Sequence, residues 1–574
     1  MRSRSMPRLR PGLLLVLLAF PAPLAAQLPL RHAPRHTARA ISAADLMTRL
    51  YIYADDSMQG RETGTAGHVR STAYIERELR SLGLEPAGDS GGFFQNVPML
   101  RRTFDPASSI TVAGTMLRGG EDFIATSRGA VRQIDGVQVV FGGMAFDTTN
   151  LLTPDQVRGR IVVVRAPRGR AGFAAAAGGG GGGGARAAAI RPYTESLSGA
   201  AAIATLVDSL TATQVDSATR PREGNVFVND GRTGAPLTLT VTASAAEALL
   251  GAPADGAVKG QAGRSVQANI VFHEEGAPGR NLVAILGGSD PRLRGQFVAL
   301  GAHNDHIGLS AGAPVDHDSL HLYNQARFAI VGMVPRGRRA SPEQLAQVAA
   351  IRVNMDSVRQ QRATRPDSIR NGADDDGSGS VTLLELAEAF SRGARPKRSI
   401  LFVWHTGEEK GLLGSRWFAD HPTVPRDSIV AQLNLDMVGR GDARDLPVGG
   451  PAYLQLVGSR RLSTELGDLV ETVNRSERQP FQFDYQFDAN GHPDNIYCRS
   501  DHYSYARWGI PVVFFTTGQH GDYHQVTDEP QYVDYDHMAR VGRLVYDVAL
   551  RVANLDHRPL VDHAKPDPTA ACRQ

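Results

Sequence analysis

A chain of 574 residues is longer than a single hydrophobic core usually supports, which makes two domains the prior. Hydrophobic residues at 42% and charged residues at 21% are ordinary for a globular protein. The net charge is +3, but Arg2, Arg4, Arg8 and Arg10 fall in a segment expected to be removed. What remains is close to neutral and gives no reason to expect nucleic acid or an anionic membrane as a partner.

The first segment has a basic start, the apolar run Leu13–Phe20 and small residues up to Gln27, the pattern of a secretory signal peptide over 1–26. The apolar run is far shorter than the roughly 20 residues that span a bilayer, and no later segment is long and apolar enough to do so. Export, to a periplasmic or extracellular site, is therefore expected. Ser42 to Leu82 reads as mostly helical, with Ser42 as N-cap and Ile75, Leu79 and Leu82 on one face. From about Arg101 to Phe272 the chain becomes short β-rich runs, among them Val137–Phe141, Arg160–Arg165 and Leu237–Val241, which predicts a separate β-rich module. Inside it Gly178–Gly184 is an unbroken glycine tract, expected to be a flexible surface loop.

From Asn281 strands and helices alternate. Leu282–Leu286, Phe297–Leu300, Ile400–Trp404, Ile429–Leu435 and Val512–Phe515 are apolar runs suited to buried strands, and Ser380–Arg392 is helical. The class is α/β, with a central mixed, largely parallel sheet between helical layers. A long insertion interrupts the pattern between His303 and Asp375. Ser341-Pro-Glu-Gln344 is a capping-box start there, followed by a helical stripe of Leu345, Val348, Ile351, Met355 and Val358. Cys498 and Cys572 are the only cysteines; two residues do not decide whether they pair.

Chemistry-bearing residues sit where strands end. His303 follows one strand, Glu408 and Glu409 another, Asp436 ends a third, and His524 lies in the loop after a fourth, while Asp375 precedes a helix. In open α/β sheets sites form beyond the carboxyl ends of the strands. Two imidazoles and three carboxylates suit two Zn²⁺ ions about 3.5–4 Å apart, with one carboxylate shared and a bridging hydroxide completing the charge. Glu408 is left to move protons. Asp305 is placed to accept the other ring N–H of His303 and fix its tautomer. His306, His317, His321, His405, His502 and His520 read as hydrogen-bonded supporting groups, and Asp501-His502 as a possible lining of the specificity pocket.

These motifs resemble the co-catalytic di-zinc exopeptidases, a family that includes bacterial leucyl-type aminopeptidases, aminopeptidase S and glutamate carboxypeptidase. The likeness runs through Gly60-Arg-Glu-Thr-Gly-Thr-Ala-Gly67, His303-Asn-Asp305, Gly372-Ala-Asp-Asp375-Asp-Gly-Ser-Gly379, Glu408-Glu409, Asn434-Leu-Asp436-Met and Tyr523-His524. It implies a three-layer α/β/α peptidase domain with His303, Asp375 and Asp436 on one zinc and Asp375, Glu409 and His524 on the other. Asp375 is then the bridging ligand, often followed by a cis peptide. Glu408 would be the general base, and Tyr523 would hydrogen-bond the tetrahedral intermediate. The chain departs from the family at Gln525, where Thr is common, and in the insertion.

Phe146 to Val164 similarly resembles part of a protease-associated domain. The implied organisation is a signal peptide 1–26, a discontinuous catalytic domain 27–130 and 273–556, a protease-associated domain 131–272, an insertion 316–369 that is a candidate lid, and a tail 557–574. The expected activity is a secreted metallo-aminopeptidase acting on peptides, with two zinc ions per chain. Its alternatives are a glutamate-carboxypeptidase-type carboxypeptidase or dipeptidase, a glutaminyl cyclase, and a receptor-like binding module that has lost catalysis, although no ligand is missing. The oligomeric state is open.

Overall fold

The computed structural model describes residues 28–126, 134–166, 192–220, 222, 224–229, 236–332, 340–442, 445–446, 449–570 and 572–574. The expected signal peptide and the glycine tract lie outside these residues. The fold is organised by a nine-stranded mixed sheet of β1 (Glu85–Pro86), β2 (Phe94–Asn96), β3 (Arg280–Leu286), β4 (Phe297–His303), β5 (Ser399–His405), β6 (Ile429–Leu435), β7 (Tyr453–Val457), β8 (Gln482–Asp484) and β9 (Val512–Thr516). Their order is β1-β3-β5-β4-β6-β9-β7-β8, with β2 also pairing with β3. β5, β4, β6 and β9 run parallel to one another, so their carboxyl ends open on the same edge.

Successive side chains point to opposite faces of the sheet. Leu282, Ala284, Val298, Leu300, Ile400 and Phe402 face one core, which holds α1 (Ala43–Tyr53), α2 (Ala66–Ser81), α6 (Gly379–Ser391) and α7 (Tyr535–Ala553). Val283, Ala299, Leu401 and Val403 face a second core with Phe418, Tyr505 and Phe514. Both faces are covered, which is why these strands read as continuous apolar runs.

The helical stretch expected over Ser42–Leu82 is two helices. Ser42 caps α1 and Thr65 caps α2, and between them Gly60 takes a left-handed φ of +66°. A Cβ there would lie 2.5 Å from the Arg370 carbonyl oxygen and 2.8 Å from the Gly308 Cα, so the chain turns against the base of the insertion.

A second, eight-stranded sheet forms the β-rich body around its own core of Phe104, Ile110, Phe123, Val139, Ile161, Val163, Leu239 and Val266. This sheet reaches back before residue 131. Ser109–Val112 pairs antiparallel with Ala262–Asn269, and Phe123–Thr126 pairs with Leu237–Thr242, so chain upstream of the expected boundary belongs to the same layer.

The insertion is closed at its base by an antiparallel pair, Val315–Asp316 with Pro366–Asp367. It carries α3 (His317–Val331), α4 (Pro342–Ala349) and α5 (Asp356–Gln361). Ser341 and Gln344 form the capping box of α4. The expected stripe from Leu345 to Val358 breaks after α4. The Asn354 side chain accepts the Asp356 N–H and starts a new helix, and Leu345 is 54% exposed.

Cys498 and Cys572 are joined in a disulfide with their Cα atoms 5.8 Å apart. Among the described residues no helix is long and apolar enough to cross a membrane.

Candidate metal centre

His303 is the last residue of β4. Its N–H donates to Asp376 Oδ2 at 3.0 Å and its carbonyl accepts from Ser380 Oγ at 2.6 Å, so the turn before α6 and the first residues of that helix grip the strand end from both sides. Nδ1 of His303 lies 3.0 Å from the main-chain oxygen of Asp305 and 3.7 Å from its carboxylate Oδ1. A carbonyl only accepts, so Nδ1 carries the hydrogen and Nε2 turns a lone pair toward Asp375. The tautomer is thus fixed by the Asp305 carbonyl rather than by the carboxylate expected from the sequence. That carboxylate is committed elsewhere: Oδ1 accepts the N–H of Glu408 at 3.1 Å and ties the loop after β5 to the end of β4.

The three consecutive aspartates before α6 diverge. Asp374 Oδ1 accepts from Gly439 N at 2.7 Å, and Asp376 Oδ1 accepts from Gly379 N at 2.9 Å and Met437 N at 3.2 Å. Of the three, Asp375 alone faces the imidazoles of His303 and His524. The main-chain N–H groups of Asp374 and Asp375 both donate to the buried carboxylate of Asp528, which lies four residues beyond His524. The segment enters through Gly372 at φ +56°, where a Cβ would meet the Asp375 carbonyl oxygen at 2.3 Å, and the Asp375–Asp376 peptide is cis.

The two oxygens of Asp375 are divided. Oδ1 lies 3.2 Å from His303 Nε2, and Oδ2 lies 3.0 Å from His524 Nε2. His524 Nε2 is also 3.1 Å from Glu409 Oε2. Asp436 turns Oδ1 to within 3.7 Å of His303 Nε2, while its Oδ2 accepts from Ser500 Oγ at 2.7 Å. His303, Asp375 and Asp436 form one group, and His306, Asp375, Glu409 and His524 another; within each, one ligand atom per residue lies within 4.8 Å of the others. All five expected ligands therefore converge.

The fit to cations rests on the donor set. His303 Nε2, His524 Nε2 and Glu409 Oε1 are buried with no hydrogen-bond partner, a costly arrangement unless an ion satisfies them. Imidazole nitrogens with carboxylate oxygens are the donors zinc takes.

Glu408 stands beside this group, half-buried. Burial raises its carboxyl pKa well above the usual range, and the charges of Asp436, Glu409 and Asp501 push in the same direction, against His303. Burial also raises the Tyr523 phenol well above its ordinary value, so it stays a hydroxyl; its ring stacks on His524 at 3.9 Å.

Most of the remaining imidazoles have partners. His405 meets the Tyr505 hydroxyl at 2.8 Å, His520 meets Asp374 at 3.2 Å, and His321 meets Asp522 at 3.0 Å. A third acidic grouping, His317 with Asp367 and Glu529, is internally satisfied. His317 reaches Asp367 at 3.0 Å and Tyr532 at 3.3 Å, and Glu529 accepts from Asn371 at 2.9 Å. His502 departs from the pocket-lining expectation: it is buried and stacked on Phe514 in the core beneath β9.

Sequence reasoning missed Asp528 and Ser500 and read His306 only as a supporting group, whereas the structure brings it into the grouping of Asp375, Glu409 and His524. The available signal for His306 was its position one residue past His303-Asn-Asp305, in the turn leaving the same strand.

Residues 343–549 match the model of peptidase family M28, a span that includes Asp375, Glu408, Glu409, Asp436 and His524. Leucine aminopeptidase 1 of Aspergillus fumigatus is 28% identical over 196 residues, 32% of this chain and 47% of the relative. The protein of that name from Coccidioides posadasii is 32% identical over 195 residues, again 32% and 47%. The chain thus spans about half the length of the curated relatives it matches. Among solved structures, the aminopeptidase from Aneurinibacillus sp. strain AM-1 aligns over 92% of this chain and 98% of its own, at 15% identity and a TM-score of 0.45. With Asp375, Glu408, Glu409, Asp436 and His524 inside it, the matched span is similar to peptidase family M28, and His303 lies upstream of that span.

Proposed function

We propose that the protein is a zinc-dependent aminopeptidase that removes residues from the free amino end of peptides. The observation that carries this reading is Asp375, one carboxylate facing two imidazole-bearing groups at 3.2 and 3.0 Å, with Glu408 next in sequence to Glu409. His303, Asp375 and Asp436 would hold one zinc, and Asp375, Glu409 and His524 the other. A zinc pair held there would polarise the scissile carbonyl and acidify a water for attack. Glu408 takes the proton from that water and delivers it to the departing amine nitrogen. Tyr523 donates its phenol hydrogen to the oxygen on which charge develops. The relatives' printed names support an amino-terminal specificity.

The β-rich body is read as a protease-associated domain, and the insertion as a lid beside the site. Export fits the Cys498–Cys572 disulfide, a bond typical of oxidising compartments. The test is to strip the full chain with chelator, restore zinc, and assay aminoacyl-coumarins beside N-terminally blocked and C-terminally amidated peptides. Turnover of the amidated peptides with none of the blocked ones is expected. The reverse pattern would replace the reading with a carboxypeptidase.

A further inference from the structure

His306 is fully buried, and among the described residues neither ring nitrogen has a hydrogen-bond partner. Its Nδ1 lies 2.8 Å from Glu409 Oε1 and 3.8 Å from Asp375 Oδ2. The atom nearest it, Glu409 Oε1, is itself buried without a hydrogen-bond partner. Both atoms belong to one grouping with Asp375 and His524 in which one ligand atom per residue lies within 4.8 Å of the others, so they surround a common point.

The ring is held in a built slot. One side lies against the backbone of Gly372, where an added Cβ would come within 2.6 Å of the His306 ring carbons. On another side the His524 ring meets it nearly edge to face, with centroids 5.5 Å apart. The His306 main chain is fixed by its N–H to the Arg61 carbonyl at 3.3 Å and by a bridge to Glu62. A rigidly placed imidazole whose nearest polar atoms are carboxylate oxygens of two expected ligands stands apart from His317, His321, His405 and His520, which reach a carboxylate or hydroxyl outside the ligand set.

We propose that His306 is a further metal-binding residue, making one pocket of four residues, His306, Asp375, Glu409 and His524, beside one of three, His303, Asp375 and Asp436. This rests on the zinc-peptidase reading above. Zinc sites with four protein ligands are closed, whereas three leave a position open. The two pockets therefore differ in affinity: the four-residue pocket fills first, and the three-residue pocket holds the exchangeable ion.

The test uses the full chain, stripped of metal and titrated with zinc against a chromophoric chelator, as wild type, His306→Ala and His306→Gln. Wild type is expected to bind in two steps, and both variants to weaken the tighter step by about 100-fold or more while the weaker step shifts much less. Zinc-edge X-ray absorption on the two-zinc wild type should count three imidazoles over two ions, and this readout decides the matter if the variants fail to fold. An unchanged tight step in the variants, or two imidazoles in the wild type, overturns the role of His306 and leaves the peptidase reading standing. A wild type that takes up no zinc overturns both.

Discussion

Asp375 divides its two oxygens between the imidazoles of His303 and His524, so its loss cannot be confined to one pocket. Asp375→Ala is expected to reduce zinc content from about two per chain to less than one, read by metal analysis after dialysis. Glu408→Ala should behave differently. Zinc content stays at the wild-type level while kcat falls by about 10²–10⁴-fold, the usual contribution of a positioned acid–base group. Normal turnover in that variant would remove Glu408 from the mechanism. At this scale the sequence was most legible where chemistry restricts the residue type, because few positions tolerate His or Asp at a buried strand end without a reason. It was least legible where one group acts on another's backbone. Asp528 reaches two N–H groups across more than 150 positions of sequence, and no spacing rule connects it to them. The Asp305 carbonyl took the role expected of its carboxylate because a main-chain oxygen two residues away was already in reach.

The element that most alters the surroundings of the centre is α3. Its His321 and Gln325 side chains both meet Asp522 Oδ2, at 3.0 and 2.9 Å, and Asn324 donates to Thr527 Oγ1 at 3.1 Å. His321 also stacks on Tyr532 with centroids 3.8 Å apart. The helix is thus fastened to the loop that carries Tyr523 and His524. The double substitution His321→Ala/Gln325→Ala is expected to weaken zinc retention and lower kcat while the fold persists, measured by chelator competition, initial rates and far-UV circular dichroism. Gly372→Ala tests the neighbouring turn. Its left-handed φ and the contacts facing its missing Cβ predict a loss of about 2–5 kcal/mol in urea unfolding. The sheet strands were legible because helices cover both faces and leave long apolar runs. The helices of the insertion were less so, since an apolar stripe with Leu345 largely exposed carries no information about where a helix stops.

Two cores on the faces of the central sheet, a third in the β-rich body and one disulfide hold the described residues together. The Cys498–Cys572 bridge closes a loop with a sequence separation of 74, for which the chain-entropy model gives about 4 kcal/mol. Cys572→Ser should therefore lower the unfolding midpoint, and wild type under reductant should fall to the same value. Acid sensitivity has an identifiable source in His502. Burial lowers its pKa from 6.5 to about 3, so the folded state favours the neutral ring. Stability from this group is present above the unfolded value and is lost as pH falls from about 6.5 toward 3, with a slope of at most about 1.4 kcal/mol per pH unit. His502→Phe should flatten that part of the pH–stability profile in denaturant titrations. The loop between β9 and α7 supplies His524 and, through Asp528, also clamps the turn that presents the shared carboxylate. Anyone transplanting this loop from a homologue to retune substrate preference would therefore have to move it together with residues 372–376, since either half installed alone would pull the twin pockets out of register.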